Sequence, residues 1–162
     1  MSLKNLFTYK RLKKLGTNYG GWFVPMDIQL NSNSIVYSAG VGEDISFDLQ
    51  LQSYFNCNIL LIDPTPRSLI HIQEVRDYYL TDNWSFSGNI QKDYKKKIRG
   101  INIDFSKISS EAIGLWDSLG ELKFYKQDNI NNVSQTLVSK MFGNDYDLVK
   151  TCTIKNLMAE QK

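Results

Sequence analysis

A strand, a glycine turn, a helix and a second buried strand are predicted in succession between residues 35 and 63, and this order constrains the fold most. Residues 35–39 (IVYSA) run into the turn at 40–42, and residues 44–55 carry apolar side chains at helical spacing. Residues 58–63 (NILLID) form a nearly continuous apolar run, which is typical of a strand buried on both faces of a parallel sheet. Because parallel strands need a crossover between them, the pattern predicts an α/β fold with a Rossmann-like core.

The segments around this core have weaker patterns. A second helix is predicted over residues 66–80, with Pro66 in its first turn. The other predicted elements are an amphipathic helix at 3–15, an extended lead-in at 22–25, short strands at 102–105 and 111–115, a hairpin arm at 121–126 and a strand that leads into a helix at 147–158. We expect one domain over 1–162, divided into a lead-in at 1–34, a cofactor-binding βαβαβ core at 35–117, and a hairpin with a C-terminal segment at 118–162.

The charge balance and the apolar runs limit the classes of partner. Lys and Arg number 19 against 17 Asp and Glu, which gives a formal charge of +2. This is too small a charge for unselective nucleic-acid binding, and the lysine run at 95–97 is predicted to be a solvated loop. No stretch approaches the roughly 18 apolar residues of a membrane span, so we expect no membrane partner.

Three residue types that often carry chemistry are assigned structural roles. Cys57 and Cys152 each lie in an apolar run without a second cysteine or a histidine at metal-ligand spacing. They are predicted to be buried thiols, which indicates no metal site and a reducing, cytoplasmic location. The single histidine, His71, lies inside the 66–80 helix and is expected to be structural. Isolated tryptophans usually pack, and Trp116 is the one that we would test for stacking on a ligand.

Glycines at 40 and 42 and an aspartate at 63 form the chemically most informative combination. Gly40 and Gly42 can adopt backbone angles closed to other residues and leave room for a ligand, while Asp63 ends the next strand at the same sheet edge. An adenosine-carrying cofactor needs such a turn and a carboxylate for its ribose hydroxyls. Adjacent carboxylates at Glu43 and Asp44 would repel a pyrophosphate but tolerate a cation, which favours S-adenosylmethionine.

Other interpretations of the same residues remain open. A Gly-x-Gly pair occurs in many ordinary turns, and Glu43 and Asp44 could simply cap the following helix. A nicotinamide-dependent oxidoreductase would share both glycines and Asp63. However, the third glycine of the dinucleotide fingerprint is replaced by Ile45, whose branched side chain opposes close packing of helix and strand.

The runs VYSAGVGEDISFDLQL and CNILLIDPTPRSLIHI resemble the FkbM-like branch of class I S-adenosylmethionine-dependent methyltransferases. The Asp-Pro-Thr-Pro sequence at 63–66 is the most specific match, and the likeness extends over about residues 19–140, including a third strand and hairpin at 113–125. The resemblance implies that Gly40, Gly42, Glu43 and Asp44 line the methionine end, that Asp63 with Pro64 lies at the ribose, and that Ile113 to Leu115 approach the adenine.

The chain departs from the family pattern because family members continue with a fourth strand that is not found before Lys162. We therefore expect the cofactor-binding part of a methyltransferase with an unknown acceptor. The alternative is a non-catalytic Rossmann-like binding or assembly module without the acceptor half. Loss of the fourth strand would leave residues 35–39 as an open apolar edge, which we expect to be covered by residues 147–158 or by a second chain in a homodimer.

Overall fold

The computed structural model describes residues 11–126, 135–137 and 145–160, which form a mixed α/β structure with parallel and antiparallel sheets. The strands are β1 (Leu12–Leu15), β2 (Trp22–Pro25), β3 (Ile35–Ala39), β4 (Asn58–Ile62), β5 (Ile108–Glu111), β6 (Gly114–Leu115), β7 (Gly120–Tyr125) and β8 (Tyr146–Cys152). The helices are α1 (Ser46–Phe55), α2 (Pro66–Thr81), α3 (Tyr94–Ile98) and α4 (Ile154–Glu160), and a 3-10 turn spans Phe105–Lys107.

The parallel sheet β3-β4-β5 organises the core, and β4 is its central strand. Ile59 and Leu61 point to one face, where they pack with apolar residues of α1, α2 and α3. Leu60 and Ile62 point to the other face and pack against Leu157 of α4. Burial on both faces explains the continuous apolar run of β4.

The predicted order of strand, turn, helix and strand is confirmed from residue 35 to residue 81. Strand β3 has the expected bounds, and β4 and α2 agree with the prediction within one residue, with Pro66 as the first residue of α2. Helix α1 begins two residues later than predicted, and its expected inner-face residues Ile45 and Leu49 are buried.

The third strand of this sheet lies elsewhere than predicted. Strand β5 occupies Ile108–Glu111, whereas 102–105 is not a strand and 111–115 is divided between two sheets. The Asp104 side chain accepts a hydrogen bond from the Ser106 backbone amide and so caps the 3-10 turn, which prevents an extended strand there.

A second sheet has the order β6-β8-β7, with β6 parallel and β7 antiparallel to β8. This confirms the hairpin arm at 121–126 and the strand that leads into a helix at 147–158, since α4 follows β8 directly. Cys152 at the end of β8 packs with Leu60 and Ile62, so this part of the chain covers one face of the first sheet.

The segment before β3 forms an antiparallel pair of strands, β1 and β2. The helix predicted over 3–15 is therefore wrong for residues 12–15, where Leu15 is buried and Leu12 is exposed as strand pairing requires; residues 1–10 lie outside the described part. The turn between these strands is fixed to α1, because the Thr17 amide donates to Ser46 Oγ at 2.9 Å. The extended lead-in at 22–25 is confirmed as β2.

Two further predictions need correction. The lysine run at 95–97 lies on α3, not in a loop, because Tyr94 and Ile98 at either end of this helical turn are fully buried. The edge of β3 is not covered by residues 147–158, since β8 pairs with β6 and β7 and α4 packs on a sheet face. Within the described residues β3 pairs with β4 alone.

Over the part of the chain that the structure describes, no helix is both long and apolar enough to cross a bilayer.

Candidate functional site

A cleft of about 640 Å³ opens where β3 and β4 end and α1 begins. Parallel strands end at the same sheet edge, which brings the glycine turn beside the end of β4. Six of the seven predicted site residues line this cleft: Gly40, Gly42, Glu43, Asp44, Asp63 and Pro64. The turn between β1 and β2 forms another wall of the cleft.

The two glycines of the turn have the backbone angles that the sequence predicted. Gly40 has φ +71° and Gly42 has φ +56°, a region that side chains other than glycine rarely adopt. A Cβ atom built on either glycine would meet no atom within 4 Å, so both face open space. The turn therefore leaves its backbone accessible to a ligand.

Asp63 ties the turn to the end of β4. Its Oδ2 accepts a hydrogen bond from the Gly42 amide at 2.9 Å, and its Oδ1 accepts from the Thr65 amide at 2.9 Å and the Thr65 hydroxyl at 2.6 Å. The side chain is only 5% exposed although it lines the cleft. An ionised carboxylate has about four acceptor positions, so Oδ2 can still accept one donor from a ligand.

Glu43 is held by an ion pair with a residue of α2. The Arg67 guanidinium donates through Nε to Oε1 at 3.0 Å and through Nη2 to Oε2 at 2.7 Å. The Glu43 side chain is 7% exposed, and the Asn89 amide also donates to its Oε2. A Cβ on Gly88 would lie 1.9 Å from Oε1, so the loop before α3 is in close contact with this carboxylate.

Asp44 joins the start of α1 to the first hairpin. Its Oδ1 accepts hydrogen bonds from the amide and the hydroxyl of Ser46, and its Oδ2 accepts from the Thr17 hydroxyl at 2.5 Å. A carboxylate that binds free amides at a helix start also interacts favourably with the helix dipole. Asp44 therefore precedes the N-cap residue Ile45 and binds the first helical residue, Ser46, without being the helix cap itself. Glu43 forms an ion pair instead.

Asp48, which was not among the predicted site residues, forms the floor of the cleft. It lies in the first turn of α1, is 3% exposed, and its Oδ1 has no hydrogen-bond partner within the described residues. Burial raises the pKa of its carboxyl group from 3.8 to about 7, although a hydrogen bond from the Ser38 side chain opposes the rise. The detectable signal in the sequence is an aspartate between Ile45 and Leu49 on the inner face of an apolar helix.

The electrostatic character of the cleft follows from these residues. Its described lining contains four carboxylates, which belong to Glu43, Asp44, Asp48 and Asp63, and no lysine or arginine. The guanidinium of Arg67 balances one of them. Such a lining favours a cation and disfavours a phosphate group.

Tyr19 and Phe124 were missed by the sequence reasoning, and Trp22 had been assigned a packing role like the other tryptophans. Tyr19 and Trp22 line the cleft and are 77% and 70% exposed, and Phe124 approaches from β7. Trp116, the tryptophan selected for stacking, lies instead in a separate shallow depression beside Ile154. Sequence spacing does not reveal that the first hairpin folds over the glycine turn.

Ile113 is the predicted site residue that the structure does not bring to the cleft. It packs with Leu60, Ile62, Cys152 and Leu157 on the sheet face that α4 covers. The reason is the position of the third strand: Glu111, and not residue 115, pairs with Ile62 at the end of β4.

The single histidine and the two cysteines are buried away from this lining. His71 Nε2 lies 2.7 Å from the Tyr94 hydroxyl, and burial lowers the pKa of the imidazole from 6.5 to about 4. It is therefore a neutral packing group at pH 7. Cys57 and Cys152 are buried free thiols, as predicted. No group of three or more potential metal ligands occurs in the described ranges.

Comparison of the chain with models of protein families, with curated proteins and with solved structures finds no match.

Proposed function

We propose that the chain is the cofactor-binding part of an S-adenosylmethionine-dependent methyltransferase of the FkbM-like class I type. In this proposal β3, α1, β4, α2 and β5 form the cofactor half of a Rossmann-like fold, and the cleft at the glycine turn holds the cofactor. When bound there, S-adenosylmethionine supplies an electrophilic methyl group to an acceptor, and the protein aligns the two and excludes water.

The observation that carries the proposal is an acidic cleft built on a Gly-x-Gly turn that Asp63 fixes in place. The Gly42 amide donates to Asp63 Oδ2, and both residues line the cleft with three further carboxylates. A ligand with a sulfonium and an ammonium group is suited to this lining, whereas the pyrophosphate of NAD or FAD would be repelled.

Asp63 also fits a role at the ribose. One acceptor position on Oδ2 remains after the hydrogen bonds from Gly42 and Thr65, which is enough for a ribose hydroxyl. Pro64 lines the same part of the cleft. Ile45, at the position of the third fingerprint glycine, is 1% exposed and packs in the core, which further disfavours a dinucleotide.

Three expectations from the sequence stay predictions. They are a cytoplasmic location, the absence of a nucleic-acid partner, and a homodimer that covers the β3 edge. The buried free thiols of Cys57 and Cys152 are compatible with a reducing compartment.

The test is calorimetric titration of S-adenosylmethionine, S-adenosylhomocysteine and NAD into the wild-type chain and two variants. We expect the first two to bind and NAD not to bind. Asp63→Ala should weaken binding at least tenfold, whereas Asp77→Ala, which removes an exposed carboxylate on α2, should leave it unchanged. Binding of NAD alone, or of no adenosine compound at all, would overturn the proposal.

A further inference from the structure

The hydrogen bonds of the four cleft carboxylates are unequally distributed. Glu43, Asp44 and Asp63 each accept at least three hydrogen bonds from protein donors. Asp48 differs, because its Oδ1 is buried and accepts none from the described residues. A buried acceptor without a donor is costly, so a ligand that supplies a donor at this point gains binding free energy.

The surroundings of Asp48 specify the charge of that donor. Asp44 lies close enough to raise the pKa of Asp48 by charge repulsion, after the larger effect of burial. Ser38 of β3 donates a hydrogen bond to Asp48. Tyr94 of α3 interacts with the Asp48 charge but is neutral, because burial raises the pKa of its hydroxyl group well above 10. Asp44 thus adds negative charge near Asp48, and no lysine or arginine occurs among the described residues that line the cleft, which favours a cationic donor.

The carboxyl group can reach such a donor without a change of the backbone. Asp48 lines the cleft at the first turn of α1, and the last torsion of an aspartate side chain has a broad, shallow energy profile. Rotation about this bond exchanges the positions of the two oxygens. A compact ammonium group with three donors suits this position better than a planar guanidinium, because the floor is only 3% exposed.

We propose that Asp48 is the residue that binds the ammonium group of the amino-acid part of the cofactor. The assignment rests on the proposed function, and it differs from the sequence-based expectation that Glu43 and Asp44 hold the methionine end. Those two carboxylates instead shape the site, Glu43 through Arg67 and Asp44 through Thr17 and Ser46.

The experiment is a double-mutant cycle in which the Asp48 carboxylate and the amino group of the ligand are each removed. S-adenosylhomocysteine and its deamino analogue are titrated calorimetrically into wild type, Asp48→Asn and Asp63→Asn. In wild type, removal of the amino group should weaken binding roughly 10- to 100-fold, the usual effect of a hydrogen bond to a charged group. In Asp48→Asn the two ligands should bind equally, while Asp63→Asn should weaken both by the same factor.

The results of this titration distinguish a failure of the Asp48 assignment from a failure of the proposed function. If wild type binds neither ligand, the proposed function and this assignment both fall. If wild type binds both but Asp48→Asn keeps the preference for the amino group, the assignment alone falls. Asp48→Ser serves as a second variant with the same expectation, and circular dichroism of each variant verifies its fold.

Discussion

The sheets β3-β4-β5 and β6-β8-β7 are assembled along the chain in opposite ways. In the first sheet, neighbouring strands follow one another in sequence and α1 and α2 connect them. In the second sheet, Gly114 of β6 pairs with Thr151 of β8, far apart in the chain. The glycine turn and the cleft carboxylates lie in α1 and in the turns that follow β3 and β4, and the second sheet contributes Phe124 at the rim. The comparison indicates that most residues of the cleft come from segments that are close together in the chain, while pairing between distant segments adds a side chain at its rim.

The largest expected difference between the two regions is in the free energy of unfolding, which Asp48→Asn and Asp147→Asn should change in opposite directions at pH 8. The folded-state pKa of Asp48 is raised from 3.8 to about 7, so its stabilising contribution is complete below pH 3.8 and is lost as the pH rises through 7. Asp48→Asn should therefore be more stable than wild type at pH 8, by up to about 4 kcal/mol, and nearly equal to it at pH 4. Urea unfolding at both pH values measures this difference.

Asp147 on β8 provides the control with the opposite sign. Although partial burial opposes the effect, hydrogen bonds from Lys126 and Gln135 lower the pKa of Asp147 below 3.8. Its contribution is present above pH 3.8 and is lost as the pH falls, so Asp147→Asn should slightly destabilise the protein at pH 8. If Asp147→Asn stabilised the protein at pH 8, or if Asp48→Asn destabilised it, the predicted opposite effects of the two substitutions would be wrong.

Two glycine-to-alanine substitutions separate stability from binding. Gly42→Ala should cost about 1–2 kcal/mol because its φ of +56° strains any side chain, although the added Cβ meets no atom. Gly114→Ala, without a positive φ, should cost on the order of 1 kcal/mol because its Cβ would lie 3.2 Å from Val149 Cγ1. We expect only Gly42→Ala to weaken cofactor binding. Equal binding losses in calorimetry would show that the effect is one of general stability.

The two ion pairs should also differ in their coupling free energies. Glu43 and Arg67 form a two-point contact with a carboxylate that is 7% exposed, so a double-mutant cycle with Glu43→Gln and Arg67→Met should give a coupling of about 1–2 kcal/mol. The pair of Lys126 with Asp147, at 2.9 Å between side chains that are 40% and 31% exposed, should give a smaller coupling of about 0.5 kcal/mol or less. A larger coupling for Lys126 and Asp147 than for Glu43 and Arg67 would contradict the interpretation that the ion pair with Arg67 holds Glu43 in place.

The sequence was sufficient for the elements whose burial pattern is local. Strand β4 is apolar on both faces, and α1 repeats its buried positions at helical spacing, so both could be predicted together with Asp63 at the strand end. The third strand could not, because β5 buries only Ile108 while Ser109 to Glu111 are exposed and polar. That strand depends on pairing with β4, which local periodicity does not encode.

The same distinction applies within the site. Gly40, Gly42 and Asp63 were predictable because backbone conformation and strand ends follow from neighbouring residues. Asp48 was not predicted, because an acidic residue in the first turn of a helix is usually explained by the helix dipole. Trp22 could not be placed at the rim, because its position depends on the anchoring of the first hairpin through Thr17 to α1.

The most direct test of the central claim is a ¹⁵N nuclear magnetic resonance titration of the labelled chain with S-adenosylhomocysteine. The claim predicts that the amide signals of Gly40, Gly42 and Thr65 shift in a saturable manner, while those of Gly114 and Trp116 in the second region do not move. Absence of shifts at the glycine turn, or largest shifts around Trp116, would contradict it.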